Sequence, residues 1–199
     1  MKRYVRASVN LYGDQNDTDR FLIARDTPTV RDIRDIANTE TESIVLMALA
    51  SNPNTPADVL LELARKGNDS VAKYALRNPN ASIELIDELF GSSLAIGKYA
   101  KEYILREASD SNMGVDQNFL KKCTQSRYPR IRGTVASNPA AHEDVQLLLA
   151  NDSNYEVLWN LVNNILVYKR CLEELTRNPD EDIRSQAEKR LAEEDYITP

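Results

Sequence analysis

One recurrence constrains this chain more than any other feature. Asn52, Asn78, Asn112, Asn138 and Asn164 stand 26, 34, 26 and 26 residues apart. At each of them one apolar stretch stops, and another begins a few residues later. Val45, Val71, Ile131 and Val157 lie seven residues before four of these asparagines, and Ile183 continues the series. Seven residues after the asparagines come Val59, Leu85, Phe119, Val145 and Cys171; four further on come Leu63, Leu89, Cys123, Leu149 and Leu175. A period of this length marks stacked two-helix units, each too small to bury its apolar face alone. The expected fold class is all-α, an α-solenoid.

The punctuation of each unit has a local cause. Asn52 precedes Pro53, and the residue before a proline is driven out of the α region, so the first helix of that unit ends there. Asn78-Pro79 and Asn138-Pro139 repeat the device, whereas Asn163-Asn164 lacks the proline. Thr55 is expected to cap the second helix, with Pro56 at its first position and Asp58 completing a capping box. Gly67, preceded by Arg65 and Lys66, is expected to end it.

Residues 1–18 have terminal character: an alternating start to Val9 fits a short strand or extended cap, and the Tyr12–Asp17 stretch has turn composition. Residues 19–194 are the helical repeat domain, opening on a degenerate unit over 19–38, and 195–199 are a C-terminal tail. The unit from about Leu94 to Ser126 carries eight residues beyond the common period. Its first helix is expected to be long, or its loop to bulge. Residues 181–194 read as one helix that closes the array.

The segments ALASNPNTPADVLLELA, YALRNPNASIELIDEL and TVASNPAAHEDVQLLLA, which begin at Ala48, Tyr74 and Thr134, resemble the leucine-rich repeat variant family. The resemblance spans roughly residues 20–190. It implies a sheet-free superhelix related in shape to HEAT and armadillo arrays. Here that is a right-handed solenoid of about six two-helix repeats of about 26 residues. The unit is slightly longer than the family's usual one, which implies that both segments are α-helical. The family's prototype carries an N-terminal cysteine cluster; this N-terminus has no cysteine, so the resemblance implies no iron–sulfur cluster.

Chemistry-bearing patterns are sparse. GxSxG, GxxxxGK[ST], HExxH and GxGxxG do not occur, and the expectation is a chain that is not an enzyme, with no cofactor and no metal. Cys123 and Cys171 fall on core-facing columns and read as buried thiols. His142 falls in a loop. No apolar run reaches the ~18 residues of a transmembrane helix, and the basic start lacks an apolar core, so a cytoplasmic location without membrane contact is expected.

Charge is uneven. The chain carries a net −6, which disfavours general binding to phosphate backbones. Yet residues 96–133 hold eight basic and four acidic side chains, while residues 134–199 hold six and thirteen. The basic block is Lys98, Lys101, Arg106, Lys121, Lys122, Arg127, Arg130 and Arg132, with Tyr99, Tyr103 and Tyr128 among them. Trp159 stands in a column held elsewhere by Lys73 and Gly133, which leaves two readings open: a partly exposed partner anchor, or a side chain that covers the gap left by the missing proline. The eight basic residues and Trp159 are the candidate partner-binding set. The expected function is a scaffold for protein–protein interaction, its partner an acidic surface meeting Lys98, Lys101, Lys121 and Lys122. The alternative is a nucleic-acid-binding solenoid using the 96–133 block.

Overall fold

Asparagine and proline together decide where these helices stop. Asn52 and Asn78 follow directly on a helix with ψ of 121° and 136°, extended backbone forced by the proline that comes next. The computed structural model describes residues 16–92, 95–110 and 115–198, with backbone only over 95–100. The expected strand or cap over 1–9, most of the turn that begins at Tyr12, and the break at Asn112 lie outside the described residues.

The described residues are all-helical, in thirteen α-helices; an isolated parallel bridge between Tyr168 and Ile197 is the β-type pairing among them. No helix among them is long and apolar enough to cross a membrane. The chain divides into two compact units, residues 1–81 and 82–199. In the first, α1 (Asp17–Asp26) packs on α3 (Ser43–Ser51), and α3 on α5 (Asp69–Arg77). Helix α2 (Val30–Thr39) packs on α4 (Ala57–Lys66) alongside. Thr27-Pro28 splits α1 from α2 by the same pre-proline rule.

The second unit has two rows of its own. One row runs α7 (Ala95–Ser109), α9 (Pro129–Ala136), α11 (Tyr155–Val162) and α13 (Glu181–Ala192). The other runs α6 (Ile83–Gly91), α8 (Gln117–Cys123), α10 (Glu143–Leu149) and α12 (Lys169–Leu175). The apolar columns line the space between rows. Val45, Val71, Ile131, Val157 and Ile183 are fully buried, as are Leu63, Leu85, Cys123, Leu149, Cys171 and Leu175. Phe119 is half-buried and Leu120 takes the core position beside it.

The recurring asparagine does more than end a helix. The side-chain amide of Asn78 donates to the carbonyls of Ala50 and Asn52, both at 2.8 Å, and its Oδ1 accepts the Asn80 amide at 2.9 Å. Asn164 repeats this with Ala136 at 2.8 Å, Asn138 at 2.9 Å and the Leu166 amide at 2.9 Å. Asn52 reaches Ala24 and Thr27, and Asn138 reaches Ala108 and Asp110. A helix leaves its last carbonyls without partners, and each asparagine satisfies two of them in the preceding turn of the stack. Every such bond contributes about 0.5–1.5 kcal/mol net, and losing it leaves a buried carbonyl unmet.

The ladder also locates the extra residues. In the Asn78 and Asn164 rungs the second carbonyl belongs to the previous asparagine; in the Asn138 rung it belongs to Asp110. Asp110 therefore offers the carbonyl that the previous asparagine offers in the other two rungs. Six of the eight added residues lie between Asn78 and Asp110, where α7 is fifteen residues long. The other two lie in the connection from Asp110 to α8.

Two local expectations are corrected. Thr55 does not cap α4; its hydroxyl, fully buried, donates to the Leu49 carbonyl at 2.6 Å, and α4 begins after Pro56 without a side-chain cap. The Leu49 carbonyl at the buried end of α3 already accepts the Asn52 amide at 3.2 Å; the buried hydroxyl, which must find a partner, takes this carbonyl's second lone pair and leaves the exposed start of α4 to water. Asp58 instead pairs with Arg34 at 2.7 Å. Within the C-terminal tail the Ile197 amide donates to Val167 at 2.9 Å, and the Lys169 amide donates to Ile197 at 3.0 Å.

Candidate functional site

The basic block of the second unit is largely engaged with its own fold. Arg132 is the clearest case. Its Nε and Nη2 donate to the two Asp152 oxygens at 2.6 and 2.9 Å, and its Nη1 donates to the Ser126 carbonyl at 2.7 Å. The two side chains are only 13 % and 7 % exposed. Arg127 lies over the Tyr128 ring at 5.1 Å, while its amide donates to Asp87 at 3.0 Å. Arg106 pairs with Glu107 at 2.9 Å and lies over the buried Tyr103. Lys121 faces Asp144 at 3.4 Å. Lys101 and Lys122 are half-buried and Arg130 is exposed. The side chain of Lys98 lies outside the described residues. The residues thus fall on α7, α8, α9 and the loop before α9, and many of their charges are met internally.

Trp159 behaves differently. It is 39 % exposed, and its ring stacks on that of Tyr155, 44 % exposed, with centroids 5.9 Å apart and planes 13° from parallel. The pair forms a flat aromatic ledge because residues four apart share a helix face. Helix α11 carries it on a firm base. Asn154 caps the helix by accepting the Val157 amide, and Val157, Leu158, Leu161 and Val162 are buried. Asn160 donates to the Gly133 carbonyl at 3.3 Å. A Cβ at Gly133 would come within 3.0 Å of the Asn160 side chain, so glycine is what lets α9 and α11 approach this closely.

Tyr155 also lines an open cleft of about 330 Å³ with Asn151, Asp152, Ser153, Leu158, Asn178, Pro179 and Asp180. Its phenol is pushed above the usual tyrosine range, first by partial desolvation and then by the charges of Asp182 and Asp180. Asp152 is spoken for: burial opposes its ionisation, but hydrogen bonds from Arg132 and the Asn154 amide prevail and hold its carboxyl below the usual aspartate range.

The remaining chemistry-bearing residues are structural. Cys123 and Cys171 are free and buried, and burial pushes both thiols up to about 12, far from a reactive thiolate. The amide of His142 donates to Gln117 Oε1 at 3.0 Å, at the start of α10. Among the described residues no group of three His, Cys, Asp or Glu side chains is placed to hold a metal ion. Trp159 was visible in the sequence as an aromatic in a non-apolar column. Tyr155 was not singled out, although its place four residues earlier was the available signal. The cleft, built from α11 and the two separate loops before α11 and α13, had none. Compared with protein families, with curated proteins and with solved structures, the chain matches none.

Proposed function

We propose that this chain is a non-enzymatic helical-repeat scaffold that mediates protein–protein interaction. The finer architecture belongs to the same proposal: a right-handed α-solenoid of about six two-helix repeats, of the leucine-rich repeat variant kind. Its support is the rung that recurs within both units, one amide bridging two carbonyls of the preceding turn. Such arrays offer long, fixed surfaces to partners. A cytoplasmic location goes with this reading, since two free thiols suit a reducing compartment.

The observation that carries the function is the Tyr155–Trp159 ledge. Aromatic side chains exposed as a stacked pair on a rigid helix supply large contact area at small entropic cost, and Trp and Tyr lead among interface anchors. The nucleic-acid alternative has less support, because Arg132, Arg127, Arg106 and Lys121 already face internal partners.

The test immobilises the full chain and its Tyr155→Ala/Trp159→Ala double variant, passes host lysate over both, and identifies what is retained by mass spectrometry. A protein held by the parent and lost from the variant is the expected result. The same proteins on both columns would refute the ledge as the binding surface. Retention abolished by nuclease would transfer the function to the nucleic-acid reading.

A further inference from the structure

The charges around the ledge are lopsided. Glu156 is exposed and stands three residues before Trp159, on the same side of α11. Asp180 lines the cleft with Tyr155. Asp182 lies in the first turn of α13, which packs on α11, and its charge acts on the Tyr155 phenol. Among the described residues, none of these three carboxylates has a cation within salt-bridge distance. Asp152, in the same cleft, has its charge met by Arg132. Of the nearby cations, Arg184 is turned to the carbonyls of Asn178 at 2.9 Å and Pro179 at 3.4 Å. Arg130 lies one helix away on α9, in the column that continues as Glu156 and Asp182.

We propose that the Tyr155–Trp159 ledge and its cleft bind an extended protein segment through an arginine or lysine side chain, a proposal that rests on the scaffold reading above. Stacked rings present negative π-faces to a cation, and Trp is the strongest of these platforms. The methylene stem of a long cationic side chain lies on apolar surface while its head stays polar. The cleft offers such a surface at Leu158 and Pro179, with the polar residues Asn151, Ser153 and Asn178 also lining it. Its volume of about 330 Å³ suits one side chain. Guanidinium is the better match, since it stacks on aromatic rings and forks onto carboxylates at once. A phosphate or carboxylate ligand would be repelled by Glu156, Asp180 and Asp182.

The experiment uses the full chain and its own fluorophore, for Trp159 is the only tryptophan. A blocked glycine–arginine peptide is titrated while Trp159 emission is followed; a glycine–glutamate peptide and oligothymidine serve as competing probes. The arginine peptide is expected to give a saturable change that weakens as salt rises. Asp180→Asn/Asp182→Asn is expected to weaken it by about tenfold, the loss of two modest charge contacts. Asparagine caps a helix as well as aspartate does, so α13 keeps its start. Tyr155→Ala is expected to weaken binding as well. Equal binding of the glutamate peptide or of oligothymidine overturns the proposal, as does unchanged affinity in the asparagine variant. An emission change that follows protein concentration without peptide means self-association through the ledge, and also overturns it. If the arginine peptide fails while lysate capture still depends on Tyr155 and Trp159, the scaffold reading stands and only the basic partner falls. If capture ignores the double variant, the scaffold reading falls whatever the peptide does.

Discussion

Replacing Asn78 by alanine removes one complete rung from the first unit. Asn78 is 4 % exposed and makes three hydrogen bonds: to Ala50 and Asn52 as donor and from the Asn80 amide as acceptor. The carbonyl of Asn52 keeps a second bond, from the Thr55 amide at 3.0 Å. The carbonyl of Ala50 has no such reserve. The residues three and four positions further on, whose amides would otherwise reach it, are Pro53, which has no N–H, and Asn54, whose amide donates to Asn52 Oδ1. Three bonds at about 1 kcal/mol each, with one buried carbonyl left unmet, place the cost of Asn78→Ala near 3 kcal/mol, within roughly 2–5. With a urea m-value of about 2 kcal/mol/M, that lowers the midpoint by about 1.5 M. The measurement is urea unfolding followed by far-UV circular dichroism. Asn80→Ala is the control, because Asn80 is exposed although it also bonds across the stack, to Pro53 and Thr55. It is expected to cost less than about 1 kcal/mol, since water replaces what it loses. Asn78→Asp is expected to be worse than alanine at neutral pH, because a carboxylate has no donor to offer two carbonyls. Its deficit shrinks in acid, where the protonated carboxyl regains one. A midpoint shift for Asn78→Ala no larger than that of Asn80→Ala would refute the ladder as a source of stability.

Three further outcomes follow from the same packing. Leu63→Ala and Leu149→Ala, both fully buried, are each expected to lose about 2–5 kcal/mol in denaturant melts. Arg190 is 4 % exposed and donates to Val162 and Asn164, 2.8 and 2.6 Å away, and to Asp195; Arg190→Ala is expected to cost about 2–4 kcal/mol by the same melts, a charged donor being worth more per bond. For Asp152 the sign follows from its lowered carboxyl. The folded state takes up the proton at lower pH than the unfolded chain, so the stabilisation is complete above the ordinary value of about 3.9 and fades as pH falls through the folded one. Asp152→Asn is therefore expected to cost about 2–4 kcal/mol at neutral pH. In a pH series of melts, its gap from the parent should close in acid.

The repeat was legible because it is written in residues whose local effect needs no partner. Asn-Pro stops a helix wherever it occurs, and apolar positions seven before and seven and eleven after the asparagine define faces by helical geometry alone. Thr55 was misread because its hydroxyl had two local uses, a cap for α4 or a partner for Leu49, and only burial chooses between them. Arg190 sits twenty-six residues after Asn164, in step with the period. Nothing local signals that a guanidinium stands in for the side-chain amide there, reaching the same pair of carbonyl positions.

The candidate site divides along the same line. Sequence alone determined the helical class, the columns that form the core, and the excess of positive charge over 96–133. It also marked Trp159, since an indole in a column shared with lysine and glycine has no core to enter. Which charges remain available was decided by tertiary structure. Arg132 and Asp152 are twenty residues apart in the chain, and only the packing of α9 against α11 brings them to 2.6 Å. The same packing sets Asp180, from the loop before α13, beside Tyr155 and leaves it without a cation. Pairing depends on distance through space, which a period along the chain does not specify, whereas helix termination and amphipathic spacing depend on neighbours within a few residues.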